Sequence, residues 1–151
     1  MRKAISTVTL IRSDKDKLSQ LVKQLEQCSV LPEELVVVWL ISPNALSLLK
    51  SKHFNIVHKF IANDELAVAK ALNRGINVIT QSVIAYIDVN SVFPTDLFHY
   101  GQEALLNNNV AYTHDINSHI NFGDESATLR NHLSLITTGE STVHAPKLKV
   151  G

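Results

Sequence analysis

Cysteine is almost missing from this chain: Cys28 is the only one in 151 residues. A lone cysteine excludes an intramolecular disulfide and fits a reducing compartment. On the helical pattern around it, Cys28 reads as a core or boundary position. Glycine is scarce too, five in all, and no G-x-G-x-x-G occurs, so a phosphate-cradling glycine loop is excluded. Net charge is absent, with 14 basic against 14 acidic residues. No overall field therefore draws the chain to nucleic acid or to an anionic membrane. The longest apolar run, Leu35–Ile41, falls far short of the ~20 residues that cross a bilayer. The basic start Met1-Arg2-Lys3 is not followed by an uninterrupted apolar segment, because Arg12, Asp14 and Lys15 intervene. A cytoplasmic protein with no membrane span and no nucleic-acid partner is the expectation. Cys28 and Ser13 both fall on structural segments, so no Cys-His or Ser-His-Asp arrangement can be read.

What is present is an alternation of strand and helix patterns. Ala4–Ile11 is β-branched and alternating, a first strand. Ser13 or Asp14 can cap the helix that follows, which spans 16–27 with Leu18, Leu21, Val22 and Leu25 on one face. Pro32 breaks that pattern. Leu35–Ile41, apolar throughout, predicts a central parallel strand. A short helical turn is expected over 45–50 and a third strand over 55–60. Asn63 and Asp64 read as a loop and helix cap. After a polar turn, 96–106 predicts a helix with Leu97, Tyr100 and Ala104 inward. Val110–Thr113 predicts a short strand, and 114–124 is polar and irregular. A last helix is expected over 124–136 with Leu129, Leu133 and Ile136 packing. The domain is expected to cover 1–136, with 137–151 an extended tail. This order predicts an α/β fold of three layers around a mainly parallel sheet.

The centre of the chain is the stretch Glu65–Pro94. A helix over 64–75 carries Leu66, Ala69, Leu72 and Ile76 on one face, with small alanines between them. The strand 82–87 is short, apolar and partly β-branched, and it stops at Asp88-Val89-Asn90. Two oxygen-bearing side chains thus end a buried strand, where open α/β sheets bind ligands. Asp88 and Asn90 can contribute to a divalent-cation site or close an Asx turn. His114, Asp115 and His119 gather in the polar stretch, but their spacing matches no zinc motif and a solvated loop is the better reading.

Order and spacing resemble one family. Ile5–Ser13 with its following helix, Glu34–Val38, and above all Ala69-Lys-Ala-Leu-Asn-Arg-Gly-Ile76 followed by Asp88-Val-Asn90 are similar to the nucleotide-sugar half of family 2 glycosyltransferases. That family shows an A-x-x-x-N-x-G helix and an Asp-x-Asp strand end, and Phe93–Leu97 resembles the segment after its metal motif. The resemblance covers roughly Ile5–Tyr112 and implies a truncated GT-A-like fold, that of nucleotide-diphospho-sugar transferases. It also implies Mg²⁺ or Mn²⁺ held by Asp88 and Asn90, and a nucleotide-diphosphate sugar contacted by Arg12, Asn73, Arg74 and Asp88. Without the resemblance, Asn73-Arg74-Gly75 reads as a helix C-terminus with Gly75 just past its end.

The sequence departs from the family at four places. The second strand ends in Trp39-Leu40 where a carboxylate is usual. The first ends in Leu10-Ile11-Arg12-Ser13 instead of Pro-Thr-Tyr-Asn. The metal motif ends in Asn90, and little chain remains for an acceptor half with its catalytic base. Two functions follow: a glycosyltransferase-like domain that binds a nucleotide-diphosphate sugar through a divalent metal, or a degenerate, inactive copy kept as a binding or protein-interaction module. An α/β domain with the same layering and no family tie is a third possibility. A truncated sheet leaves an edge that wants covering, so pairing with another copy, as a homo-oligomer, or with a partner chain is expected.

Overall fold

The runs 5–11, 34–39 and 83–87 lie side by side because helices cover them on both faces, while 55–60 joins them at an edge with no buried residue. The computed structural model describes residues 3–12, 15–41, 48–61, 66–113, 118–124 and 126–138. Its elements are β1 (Ile5–Ile11), α1 (Lys15–Glu26), β2 (Glu34–Trp39), β3 (Asn55–Phe60), α2 (Val68–Ile76), β4 (Val83–Ile87), α3 (Leu97–Ala104), β5 (Val110–Tyr112), β6 (Ile120–Gly123) and α4 (Ser126–Thr138). They build one six-stranded sheet in the order β3-β2-β1-β4-β6-β5. β1, β2, β3 and β4 are mutually parallel, whereas β6 runs antiparallel to both β4 and β5.

Strand alternation sorts the core into two layers. Ile5, Ile11, Leu35, Val37, Val83, Ala85 and Ile87 point to the face covered by Leu18, Leu21 and Leu25 of α1 and by Leu97 and Phe98 of α3. Val8, Val36, Val38 and Ile84 point to the opposite face, under Ala71, Leu72 and Ile76 of α2 and Leu129 and Leu133 of α4. The three-layer α/β reading therefore holds, with the mainly parallel sheet expected.

Five expectations need correction. The irregular stretch over 114–124 contains β6, whose Ile120 and Phe122 are fully buried. Tyr100 is 40% exposed, and α3 instead buries Leu97, Phe98 and Gly101, because the face that meets Phe122 runs through i, i+1 and i+4. Gly75 is inside α2, with Asn77 at its C-cap. Helix α2 starts at Val68, with Ala67 extended at its N-cap and no side-chain cap bond. The expected caps Ser13, Asp14, Asn63 and Asp64 lie outside the described residues, as do 42–47 of the expected short helix and 139–151 of the expected tail. Residues 48–50 are not helical.

One buried polar group ties the bottom of the sheet together. Glu34 opens β2 at 4% exposure. Its Oε1 accepts from Ser6 Oγ at 2.7 Å, from the Thr80 N–H at 2.7 Å and from Thr80 Oγ1 at 2.9 Å. The connector into β4 is thereby fastened to the starts of β1 and β2. Removing such an acceptor leaves buried donors unpaired, so Glu34→Ala is expected to cost about 1.5–3 kcal/mol. Urea unfolding would show this as a lower midpoint at unchanged m-value.

Candidate functional site

The connectivity itself marks a place for ligands. From β1 the chain passes through α1 to β2 on one side, while β3 returns through α2 to β4 on the other side of β1. The sheet therefore has its switch point between β1 and β4, and ligands of open α/β sheets bind outside the carboxyl ends of strands at such a point. The chain leaves β1 there at Arg12 and β4 at Asp88.

Asp88 is half-buried and held from three directions. Its N–H donates to the His119 carbonyl at 2.9 Å, its carbonyl accepts from the Ser91 N–H at 2.9 Å, and its Oδ1 accepts from the Asn90 N–H at 2.9 Å. This is an Asx turn, and it occupies only one carboxylate oxygen. Among the described residues no hydrogen bond or ion pair engages Oδ2. Asn90 is exposed beside it. One carboxylate and one amide oxygen do not make a closed cage, and among the described residues no cluster of three His, Cys, Asp or Glu could hold a metal. The donor set fits a hard cation that takes its remaining ligands from substrate phosphates and water, the usual arrangement for Mg²⁺ at phosphate sites.

The neighbouring side chains vary in how near they come to this turn. Arg12 is exposed, and its Nη2 lies 3.5 Å from the Leu66 carbonyl at the entry to α2. Helix α2 runs from that rim back along the sheet. A Cβ on Gly75 would meet Val38 Cγ2 at 2.5 Å and Val8 Cγ2 at 3.0 Å, so this part of the helix lies over the middle of β1 and β2. Asn73 is half-buried there, its carbonyl accepting from the Asn77 N–H at 3.0 Å. Arg74 is exposed in the last turn. Among the described residues no hydrogen bond or ion pair joins either of them to Asp88.

Contacts that sequence reading missed are supplied by distant segments. The β4–β6 pairing brings His119 against the turn: its N–H donates to Ser91 Oγ at 3.1 Å. From α1, Gln24 Nε2 donates to the Ser91 carbonyl at 3.0 Å and its Oε1 accepts from the Phe93 N–H at 3.2 Å. The turn after Asp88 is thus clamped by α1 on one side and β6 on the other. His114 and Asp115 lie outside the described residues, and His119 is exposed.

Below the turn, a polar row crosses the sheet. Tyr86 of β4 is opposite Asn121 of β6, which is opposite Tyr112 of β5. Burial raises the Tyr86 phenol strongly, and the Asp88 carboxylate adds to the effect, so Tyr86 stays protonated next to the candidate site. From α4, His132 Nε2 bonds Asn121 Oδ1 at 3.1 Å, and its ring lies 5.8 Å from that of Tyr112. Burial lowers the His132 pKa from 6.5, whereas the unfolded chain takes up that proton near 6.5. The stability from a neutral His132 is therefore complete above about pH 6.5 and is lost as pH falls below it. The melting temperature is expected to drop between pH 7.5 and 5.5, and the drop should shrink in His132→Gln.

Solved structures carry this fold at low identity, among them the following three. The mannosyltransferase PcManGT from Pyrobaculum calidifontis, solved in complex with GDP-Man and Mn²⁺, superposes with a TM-score of 0.69 at 11% identity over 94% of this chain and 48% of its own. The glucosyl-3-phosphoglycerate synthase from Mycobacterium tuberculosis, in complex with Mn²⁺, UDP and glucosyl-3-phosphoglycerate, gives 0.50 at 16% identity over 74% and 44%. The 2-C-methyl-D-erythritol 4-phosphate cytidylyltransferase from Thermus thermophilus gives 0.58 at 12% identity over 100% of this chain and 89% of its own. The chain has the GT-A-type fold of nucleotide-diphospho-sugar transferases, and it spans about half the length of the glycosyltransferases it matches. No protein-family model and no curated protein sequence matches it. Among the described residues no helix is long and apolar enough to cross a membrane.

Proposed function

We propose that this domain binds the diphosphate of a nucleotide-diphosphate sugar at the carboxyl ends of β1 and β4, together with Mg²⁺ or Mn²⁺. The observation that carries the reading is Asp88: a half-buried carboxylate at the sheet's switch point with one oxygen committed to a turn and the other, among the described residues, unengaged. The Mn²⁺ seen with PcManGT and with the glucosyl-3-phosphoglycerate synthase, beside GDP-Man and UDP respectively, supports a divalent cation. When bound, the cation supplies positive charge against the diphosphate. Asp88 and Asn90 would hold it. Arg12, at the neighbouring strand end, would pair with a phosphate oxygen. Long side chains in helices lean back toward the N-terminus, so Arg74 would reach from mid-sheet toward the same rim, with Asn73 oriented beside it. The open edges at β3 and β5 would be covered by a second copy or another chain.

The second reading, an inactive copy kept for binding or interaction, draws support from Trp39. Where the resembled family carries a carboxylate, Trp39 is buried and its Nε1 donates to His58 Nδ1 at 2.9 Å. That position has no charged side chain with which to select a nucleobase.

A thermal-shift panel of UDP- and GDP-sugars with and without Mn²⁺ tests binding. A ligand that binds only the folded state at a hundred times its Kd stabilises by about 2.7 kcal/mol. At least one sugar nucleotide should raise the midpoint, the rise should need Mn²⁺, and Asp88→Ala should remove it. A panel with no metal-dependent shift would overturn the proposal.

A further inference from the structure

The opposite end of the sheet carries a cleft of about 370 Å³, lined by Ile76, Asn77, Ile79, Gln81, Ser82, Ile84 and Arg130. It lies between the last turn of α2, the connector into β4 and the first half of α4. Its residues belong to the end of the sheet where β4 begins, so it is separate from the turn at Asp88, where β4 ends. Its size falls within the range of small-molecule pockets, about 300–1,000 Å³.

The chemistry of its walls is one-sided. Arg130 is the only charged side chain among the described residues lining it. One guanidinium nitrogen, Nη2, donates to Asn77 Oδ1, which fixes the plane of the group. Its Nε is buried and, among the described residues, has no hydrogen-bond partner. A buried unpaired donor of this kind is costly and calls for an explanation, most of all on a guanidinium, whose fork suits carboxylate and phosphate oxygens. Glu34 is not among the residues lining the cleft, and its Oε1 is directed to Ser6 and Thr80. The exposed Ser82 offers a hydroxyl at the rim, and Ile76, Ile79 and Ile84 supply an apolar wall.

We infer that this cleft is a second binding site, for a small organic anion with a carboxylate or phosphate head on a short apolar body. The head pairs with the Arg130 guanidinium and draws a hydrogen bond from Ser82, and the body lies on the three isoleucines. Because the site is remote from Asp88, occupancy does not require a sugar nucleotide or a metal.

The test is a titration of the full chain with benzoate and with phenyl phosphate, followed by calorimetry and by amide shifts in ¹H–¹⁵N spectra. Acetate and inorganic phosphate serve as heads without a body, and benzyl alcohol as a body without a charge. At least one aromatic anion should bind saturably and move the amides of Gln81 and Ser82, while the three controls bind more weakly. Whether benzoate or phenyl phosphate binds more tightly identifies the head. Losing a charge-assisted pair corresponds to about tenfold or more in affinity, so Arg130→Gln should weaken binding by at least that factor. Should Arg130→Gln not fold, Ser82→Asp, a change at an exposed position that sets a like charge against the anion, should produce the same loss. Absence of saturable binding by both aromatic anions would overturn the inference. So would equal binding by the variant, or shifts confined to residues near Asp88. EDTA should leave this binding unchanged while it abolishes any sugar-nucleotide binding, so failure at one site is distinguishable from failure at the other.

Discussion

Purified as these 151 residues, the chain is expected to show no acceptor-dependent turnover of UDP- or GDP-sugars in a coupled assay for nucleotide release. Inverting sugar transfer needs a general base poised on the acceptor hydroxyl, and losing one costs roughly 10²–10⁴ in rate. The acidic residues after Asn90 are Asp96, Glu103, Asp115, Asp124, Glu125 and Glu140. Of those in the described residues, Asp96 is the N-cap of α3 and Glu103 lies within it, on the α1 side of the sheet, and Asp124 follows β6 at the end opposite Asp88. None of these three stands beside the turn. The domain also spans about half the length of the glycosyltransferases that share its fold, so an acceptor wall, and the positioning that it provides, would have to come from further chain or from a partner. Steady release that depends on acceptor and disappears in Asp88→Ala would contradict this expectation and favour an enzyme complete in itself.

A second large effect is expected from a single methyl group. Gly75→Ala should destabilise the domain even though alanine is the better helix former. Its new Cβ would stand 2.5 Å from Val38 Cγ2 and 3.0 Å from Val8 Cγ2. Both valines are fully buried and β-branched, so neither can swing aside. Overpacking of this kind costs about 1–3 kcal/mol, against about 0.5–1 kcal/mol gained from propensity. Gly75→Val, with two further carbons and a branched Cβ, should cost more than Gly75→Ala. The check is the order of melting temperatures, with the natural chain highest and the valine variant lowest. An alanine variant as stable as the natural chain would show that α2 can lift off the sheet freely.

Most of the architecture is legible in the sequence because its strands are buried on both faces and therefore read as continuous apolar runs, as in Leu35–Trp39 and Val83–Ile87. β6 is not legible, for a physical reason. Ile-Asn-Phe-Gly is four residues long, and its Asn121 serves a buried network whose other members, Tyr86, Tyr112 and His132, lie elsewhere in the sequence. The alternation of Ile120 and Phe122 is its only local signal. Gly123 reads as a breaker, yet it is there because a Cβ would come within 2.7 Å of Leu129 Cβ. Helical spacing from Leu97 places Tyr100 inward, but Phe98 takes the core place because it packs edge-on against Phe122 at 6.1 Å. At the site, Asp88 stands out as a polar stop after an apolar strand. The clamp around it does not, since Gln24 and His119 reach it across 67 and 28 residues of chain to Ser91.

The most direct measurement of the central claim is paramagnetic broadening by Mn²⁺ in the ¹H–¹⁵N spectrum, recorded with a sugar nucleotide that shifts the melting temperature. Broadening falls steeply with distance from the ion, so it reports location. Amides of Asp88, Val89, Asn90 and Ser91 should disappear first, those of Arg12 and His119 next, and those of Asn77–Ser82 at the far end of the sheet should persist. Asp88→Ala should leave the whole spectrum sharp at the same Mn²⁺ concentration. Broadening centred away from the end of β4, or unchanged in Asp88→Ala, would contradict a metal-assisted diphosphate site at the switch point.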